Sequence, residues 1–567
     1  MAGTTQTAER DGLASSGERP WLRLYPADIP HDLASPFETP LAAFEAVAGA
    51  NLDRTALWYF DTPMSFGALS GHANALAAAW AGRVAFGDRV AILNQNTPAT
   101  VIALLAAWRL GAAVIPLNPM LTARELTHYL ADGEPAAIMV GAEQAAALAD
   151  ALASWGGSPV IAFSAAQDFL QFDGAPPAPL RGLKGTNEIP DGWAVLLDLP
   201  PAPAMFAHRV VHGTDLAFLT YTSGTTGRPK AALNTHANVA FNAEVYRRWL
   251  RLDADDVLYA AAPFSHVTGL VAHIAAGFAA GAPVVMNYRF DAATVLDLLA
   301  RRGCTTTVAA ITAYIALLDH PNFDAAALPR FTKLFSGGAP VAPAVVERWE
   351  AATGIYIHNA YGLTETTSPS HLVPFGQRAP VDPMTGSLSV GVPVPGTYCR
   401  VVDMETRETL PSGGEVGELL TAGPQVVAGY WRKPEESAAG FQDGWLRTGD
   451  LGRADADGWF FVVDRAKDMI VASGFKVWPR EVEDTLLEHP GVSEAAVVGV
   501  PDAYRGEVPK AFVVARPGAA VTDLELRAFC RERLAAYKTP REIVLVTALP
   551  KTISGKVLRR ELRDIQS

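Results

Sequence analysis

The chain has 567 residues, 49% of them hydrophobic and 19% charged, with 48 Gly and 41 Pro. That is enough for a sizeable core and about three or four domains, and it excludes collagen and wholesale disorder. The formal charge of −13, from 46 Lys and Arg against 59 Asp and Glu, argues against a nucleic-acid or general polyanion binder, because phosphate backbones reward clustered cations.

Residues 1–20 are polar and lack the apolar core of a secretory signal, so they read as a disordered leader. Short β-like runs then alternate with amphipathic ones. A strand is expected at 89–94 (RVAILN), a helix at 98–110, a strand at 113–117, a helix at 122–131 capped by Thr122, and a strand at 137–140. This rhythm predicts a layered α/β architecture with substantially parallel sheets. Between about 174 and 205, Pro, Gly and Ala dominate, the signature of a long surface connection. Residues 257–288 carry no formal charge and are long enough to span a bilayer. Pro263, Ser265, His266, His273 and Pro283 interrupt them, which favours a buried strand, a turn and a buried helix over a transmembrane segment. A compact α+β pattern closes the chain: helices at 479–488 and 523–534, strands at 495–500, 511–515 and 542–546. The expected division is a large α/β domain over 21–466, including a small β subdomain, and a small mobile α+β domain over 467–567, with a hinge near 464–467. Cys304, Cys399 and Cys530 are far apart and form no CxxC pair. Neither a disulfide framework nor a cysteine zinc site is expected, and a reducing cytoplasm fits.

Residues 221–230 read YTSGTTGRPK, directly after a strand expected at 216–219. Thr222, Ser223, Gly224, Thr225, Thr226 and Gly227 are all small, hydroxylic or Gly. Glycines let backbone N–H groups approach a phosphate, hydroxyls add donors, and Lys230 adds a point charge. The pattern is neither the GxxxxGK[ST] nor the GxGxxG loop. Composition alone fits a phosphate cradle and a flexible Ser/Thr/Gly surface loop equally.

Five further motifs follow in order: SGGAP at 336–340, NAYGLTET at 359–366, GWLRTGDL at 444–451, DRAKDMIVASGFKVWPREVE at 464–483 and PKTISGKVLRR at 550–560. Together with the loop they resemble the AMP-forming adenylate-forming superfamily, which contains acyl-CoA synthetases, stand-alone adenylation domains and beetle luciferases. The opening WLRLYPADIPHDL and the layout resemble bacterial medium- and long-chain fatty-acid CoA ligases over nearly the whole chain. The resemblance implies two half-reactions. A carboxylate attacks the α-phosphate of ATP, giving acyl-adenylate and pyrophosphate, and the thiol of CoA then displaces AMP. The first step joins two anions, so cations and oriented dipoles must offset the repulsion.

The resemblance also implies roles. Glu365 would hold Mg2+ on the ATP phosphates and Thr364 would donate to the α-phosphate. Asp450 would accept from the ribose hydroxyls, with an Asx turn as the plainer reading, and Arg465 would reach the same nucleotide. Tyr361, with Gly362 beside it, offers a flat face for adenine. Gly337, Gly338 and Ala339 let the base approach the backbone, and Asn359 would read its amino edge. Lys556, on a Gly555-containing turn, would bridge carboxylate and phosphate oxygens, whereas Lys551, Arg559 and Arg560 read as solvated charges. Ser473, Gly474 and Phe475 would line the pantetheine path, and Lys467 would be the hinge. His266, in PFSHVTG, would gate the carboxylate pocket, with a satisfied core histidine as the alternative. Thr268 and Ala272, four apart, share a helix face and would line an uncharged acyl pocket.

The reading that follows is an ATP-dependent acyl-CoA ligase for a medium- to long-chain fatty acid, with small-molecule partners and a cytoplasmic setting, compatible with a homodimer. An aryl-acid CoA ligase and an acyl-AMP ligase loading a carrier protein remain alternatives, the latter disfavoured because no extra stretch lies between 422 and 464. A non-catalytic acyl-adenylate or acyl-CoA binder should have lost Lys556 or Glu365, and both are present. The chain contains no GxSxG and no HExxH, which disfavours a hydrolase.

Overall fold

The structure, a computed structural model, describes residues 19–172, 175–183, 185, 189–203, 206–222, 229–465, 468–472, 475–502, 505–552, 555–563 and 565. Among these, the strands assemble into four sheets. In a seven-stranded sheet, Arg89–Leu93 pairs in parallel with Ala113–Leu117 on one side and Ala137–Gly141 on the other. Val90 and Ile92 pack into one core, Ala91 and Leu93 into another. Both faces of this strand are therefore covered, and its sequence is uniformly apolar rather than alternating. The helix Pro98–Arg109 starts on a proline, where a missing N–H costs nothing, and is buried along its whole length. The helix Ala123–Gly133 is started by a capping box between Thr122 and Glu125. Leu216–Thr222 extends the sheet, and Lys230–Thr235 returns antiparallel to it.

A nine-stranded sheet supplies most of the site. Thr306–Ala309, Lys333–Ser336 and Ile357–Leu363 run parallel. Their carboxyl ends form the kind of edge where ligands of open α/β sheets bind. Ser368–Leu372 folds back antiparallel on Ile357–Leu363. An antiparallel sheet of Tyr398–Val402, Gly417–Ala422, Phe441–Gln442, Trp445–Ala454 and Phe460–Arg465 forms the small β subdomain. Beyond it, the small domain is built on the long hairpin Val492–Asp502 and Gly506–Ala515. Glu542–Leu545 runs parallel to its second strand, and the helices Pro479–Leu487 and Asp523–Arg533 accompany it.

Three expectations need correction or refinement. The surface connection at 174–205 is partly structured: Ala194–Val195 adds an edge strand beside Val160–Ser164, and Leu180 and Leu196 are buried. Within 257–288, strand, turn and helix occur as expected, and among the described residues no helix is long and apolar enough to cross a membrane. That helix is irregular, however, with a π-helical stretch at Gly269–Ala275 ahead of the α-helical Ala276–Ala280. The expected leader ends sooner than 20: Pro20–Leu24 forms a 3₁₀ turn whose Trp21 packs edge-on against Phe460. Residues 1–18 lie outside the described residues.

Several histidines are buried as neutral rings. His273 Nε2 accepts from Ala262 N (3.3 Å), and His358 Nε2 accepts from Gly376 N (3.0 Å), so protonation would cost each a hydrogen bond as well as desolvation. Burial pushes both down to about 4, and His236 and His371 to about 3. Unfolded histidine titrates near about 6.5, so between these values the unfolded chain binds more protons than the folded one. The stability contributed by these rings is full above the ordinary histidine range and is lost as pH falls through it. The urea midpoint should fall between about pH 7 and about pH 4.5, and His273→Gln/His358→Gln should flatten that slope. A wild-type slope in this variant would leave the fall to His236, His371 and the carboxylates.

Candidate active site

Asp450 sits in the strand Trp445–Ala454, only 2% exposed, and both its oxygens are engaged. Oδ1 lies 2.6 Å from Arg465 Nε, and Oδ2 accepts from the Tyr361 hydroxyl at 2.7 Å. Asp450 and Arg465 are direct partners in the antiparallel register, so strand pairing sets the ion pair. The Asp450 charge raises the Arg465 guanidinium further, and burial together with Asp450 holds the Tyr361 phenol well above its ordinary range as a donor.

The turn that follows Tyr361 is strained. A Cβ on Gly362 would lie 1.7 Å from Ser368 O, so only glycine fits. Thr367 and Ser368 stand at φ of 50° and 93°, a region that L side chains rarely adopt. Two buried amides hold it. Asn242 Nδ2 donates to Thr366 O (2.9 Å) and Thr367 O (2.7 Å); Asn234 Nδ2 donates to Thr364 O (3.0 Å) and Thr367 Oγ1 (2.9 Å). Asn234 lies on the strand Lys230–Thr235, which its amide ties to Thr364 and Thr367. Glu365 Oε1 accepts from Tyr430 Oη at 2.8 Å, and Lys230 Nζ lies 5.3 Å from the centre of the Tyr430 ring. Thr222 and Lys230 face each other across the paired strands, so the chain leaves and re-enters the sheet at one point. Ser223, Gly224, Thr225, Thr226 and Gly227 lie outside the described residues.

On the base side, Gly337 approaches Ala360 O so closely that a Cβ would sit 2.9 Å from it. Gly338 is exposed with φ 82°, and Ala339 is half-buried. Asn359 is buried, with Nδ2 donating to Ser389 O (3.1 Å) and Oδ1 accepting from Ala360 N (3.0 Å), which fixes the orientation of its amide and leaves one N–H and one lone pair.

His266 occupies a loop folded on itself. A Cβ on Gly269 would lie 2.1 Å from Pro263 O. Asn96, from the other large sheet, accepts from Phe264 N (2.8 Å) and donates to Ala262 O (3.1 Å). The Thr268 N–H donates to His266 Nδ1 at 3.3 Å. Burial first, then the nearby Lys556 ammonium, pushes His266 down to about 4, so its ring is neutral near pH 7. Thr268 is half-buried and Ala272 buried within the π-helical stretch. At about 4.4 residues per turn, implied by i→i+5 bonding, the two still lie nearly on one face.

Lys556, in the small domain, lies near enough for its charge to act on His266. Its turn seats against the large domain: Gly555 has φ 82°, and a Cβ there would lie 2.7 Å from Thr312 Oγ1. Of the neighbouring cations, Arg560 is exposed as expected, but Lys551 and Arg559 are not solvated charges. Lys551 pairs with Glu494, and Arg559 with Glu483 at 2.7 Å. Lys467, Ser473 and Gly474 lie outside the described residues, and Phe475 opens the short strand Phe475–Val477.

The family model of the AMP-binding enzyme matches residues 44–431, and that of the AMP-binding enzyme C-terminal domain matches 481–556. The chain belongs to the AMP-binding enzyme family. A long-chain-fatty-acid–CoA ligase of Bacillus subtilis (strain 168) is 35% identical to it over 558 residues, covering 96% of this chain and 98% of that one. A feruloyl-CoA synthase of Amycolatopsis sp is 35% identical over 513 residues, covering 90% and 95%. A solved anthranilate CoA ligase in complex with anthranoyl-AMP superposes with a TM-score of 0.82 at 29% identity, covering 95% of this chain and 98% of that one. This AMP-binding enzyme is an AMP-forming acid–thiol ligase, an acyl-CoA synthetase, whose class takes ATP and CoA as substrates.

Tyr430, Asn234, Asn242 and Asn96 escaped the sequence reading. Each is a lone polar residue in an ordinary run, and only the folded contacts reveal its work. Tyr430→Phe removes the donor to Glu365, a hydrogen bond to a charged group worth about 1.5–3 kcal/mol. In this AMP-binding enzyme it should lower kcat/KM for ATP by roughly ten- to a hundredfold with an unchanged melting temperature. Wild-type kinetics would show that Glu365 needs no such orientation.

Proposed function

We propose that this acyl-CoA ligase activates a medium- to long-chain fatty acid with ATP and passes the acyl group to CoA. The observation that carries the reading is the stretch behind His266. Residues 257–288 place Thr268 and Ala272 on one face of an uncharged, apolar helix at the carboxyl edge of the sheet. Such a wall accommodates an alkyl chain and offers no buried charge to pair with a polar acid. The near full-length likeness to a long-chain-fatty-acid–CoA ligase supports it. An aryl acid is the second reading, favoured by the equal identity to a feruloyl-CoA synthase.

In the proposed reaction the acid enters past the neutral His266, which adds no charge to compete with Lys556 for the carboxylate. Lys556 holds carboxylate and α-phosphate oxygens together as charge develops between them, and Thr364 donates to the same phosphate. Asp450 takes the ribose hydroxyls with Arg465 beside it, while Tyr361 and the Gly337, Gly338, Ala339 edge hold the base. Residues 222–230, from Thr222 to Lys230, receive the departing pyrophosphate. Among the described residues no three His, Cys, Asp or Glu side chains gather in a metal-binding cluster. A single carboxylate, Glu365, fits Mg2+ carried largely by ATP phosphates and water. When bound, Mg2+ would neutralise phosphate charge. The small domain then turns about Lys467 and brings Ser473, Gly474 and Phe475 to the pantetheine arm, in a cytoplasmic setting.

Lys556→Ala should lower ATP–pyrophosphate exchange by about a hundred- to a thousandfold, the usual cost of one well-aimed charged donor. CoA attack on pre-made acyl-adenylate should stay near the wild-type rate; equal losses in both half-reactions would refute the assignment.

Exchange across a panel from acetate to palmitate, with benzoate and ferulate included, separates the two substrate readings. Ala272→Trp should block the alkyl path. Four excluded methylenes at about 0.8 kcal/mol each forfeit about 3 kcal/mol, roughly a hundredfold in kcat/KM for palmitate, with short acids nearly unaffected. A uniform drop would place Ala272 in the core, and a wild-type preference for the aromatic acids would favour the aryl reading.

A further inference from the structure

Two arginines of the small domain reach across the hinge. Arg480, in the helix Pro479–Leu487, donates to Val462 O (2.7 Å) and Val341 O (3.2 Å), both carbonyls of the large domain. Arg559 lies three residues after Lys556. One of its nitrogens, Nη2, contacts both oxygens of Glu483 at 2.7 and 2.8 Å. The other, Nη1, lies 3.4 Å from Asp464 Oδ1 and 3.6 Å from Asp468 Oδ2. Arg563 extends the row to Asp468 at 2.8 Å.

These partners fall on two sides of the hinge. Asp468, Glu483, Arg559 and Arg563 belong to the small domain and travel together. Asp464 is the penultimate residue of the large-domain strand Phe460–Arg465, next to the arginine that pairs with Asp450. It is 6% exposed, and beyond Arg559 it accepts from Arg465 N (2.8 Å) and Arg480 N (3.2 Å). Any rotation about 466–467 leaves Asp464 behind, and a carboxylate so buried is costly without its guanidinium. The contact between Asp464 and Arg559 is therefore specific to the orientation that seats the Lys556 turn against Thr312 of the large domain.

We propose that Arg559 is a positioning residue for adenylation: by gripping Glu483 within the small domain and Asp464 across the hinge, it fixes the Lys556 turn over the acid and the α-phosphate. Its guanidinium nitrogens are taken up by carboxylates of the protein, so it would act through Lys556. The proposal rests on the reading of Lys556 as the adenylation lysine, and it predicts a loss confined to one half-reaction, which a general packing role does not.

The test measures ATP–pyrophosphate exchange and CoA attack on supplied acyl-adenylate in the full chain. Arg559→Gln should cut exchange about tenfold, a coupling typical of charge networks, and leave the thioester step within about twofold. Arg559→Lys should recover part of the loss. Asp464→Asn is isosteric and keeps the Arg559–Glu483 pair, so it tests the cross-hinge limb even if Arg559→Gln fails to fold. It should give the same split, and the double variant should be no worse than the worse single variant. Equal loss in both half-reactions, additive losses, or wild-type exchange in Asp464→Asn would overturn the proposal. Lys556→Ala is run beside them. If it spares exchange, the reading of Lys556 fails; if it abolishes exchange while Asp464→Asn does not slow it, only the role of Arg559 fails.

Discussion

Asp450 is a buried carboxylate whose two oxygens are already committed, one to Arg465 and one to Tyr361. A charge so desolvated is tolerable only when paired and hydrogen-bonded, and that requirement draws three stretches of chain to one point. The small β subdomain supplies Asp450 and Arg465, the nine-stranded sheet supplies Tyr361, and the residue after Tyr361 must be glycine for the turn to close. The strained Thr367–Ser368 turn, its two asparagine braces and the placement of Glu365 follow from that closure. The residue before Arg465 is Asp464, so the ion pair with Asp450 also anchors the end of the strand Phe460–Arg465.

Much of this was legible because the local signals agreed. The strand Ala113–Leu117 falls where the apolar run stands, and Thr122 caps the next helix through Glu125 as its spacing implies. In the small domain the observed helices Pro479–Leu487 and Asp523–Arg533 end one residue short of expectation, while the hairpin strands run several residues longer. Long pairing continues wherever a partner is present, and propensity does not report the partner. The six ordered motifs supplied the candidate residues of the site, since each needs a particular residue at a particular step of the chain.

What remained hidden depended on contacts between distant segments. Arg559 and Lys551 read as solvated because a basic run at a chain end usually is; in the fold, carboxylates 76 and 57 positions earlier, Glu483 and Glu494, meet them. The contacts that orient the Asn359 amide, on Ser389 and Ala360, were likewise not readable from its motif. The Pro-rich segment before 205 looked irregular because two-residue strands leave no periodic trace, and only the free edge of Val160–Ser164 gives Ala194–Val195 a reason to extend.

The π-helical stretch at Gly269–Ala275 has a bearing on how such a pocket diversifies. A π-turn holds one residue more than an α-turn while the helix on either side keeps its place. Removing that residue would restore α geometry and swing everything upstream by about 100°, carrying His266 and Thr268 around the axis while Ala276–Ala280 stayed fixed. Insertion and deletion, and not substitution alone, can therefore redirect the residues that lead into this helix, the wall proposed to meet the acid.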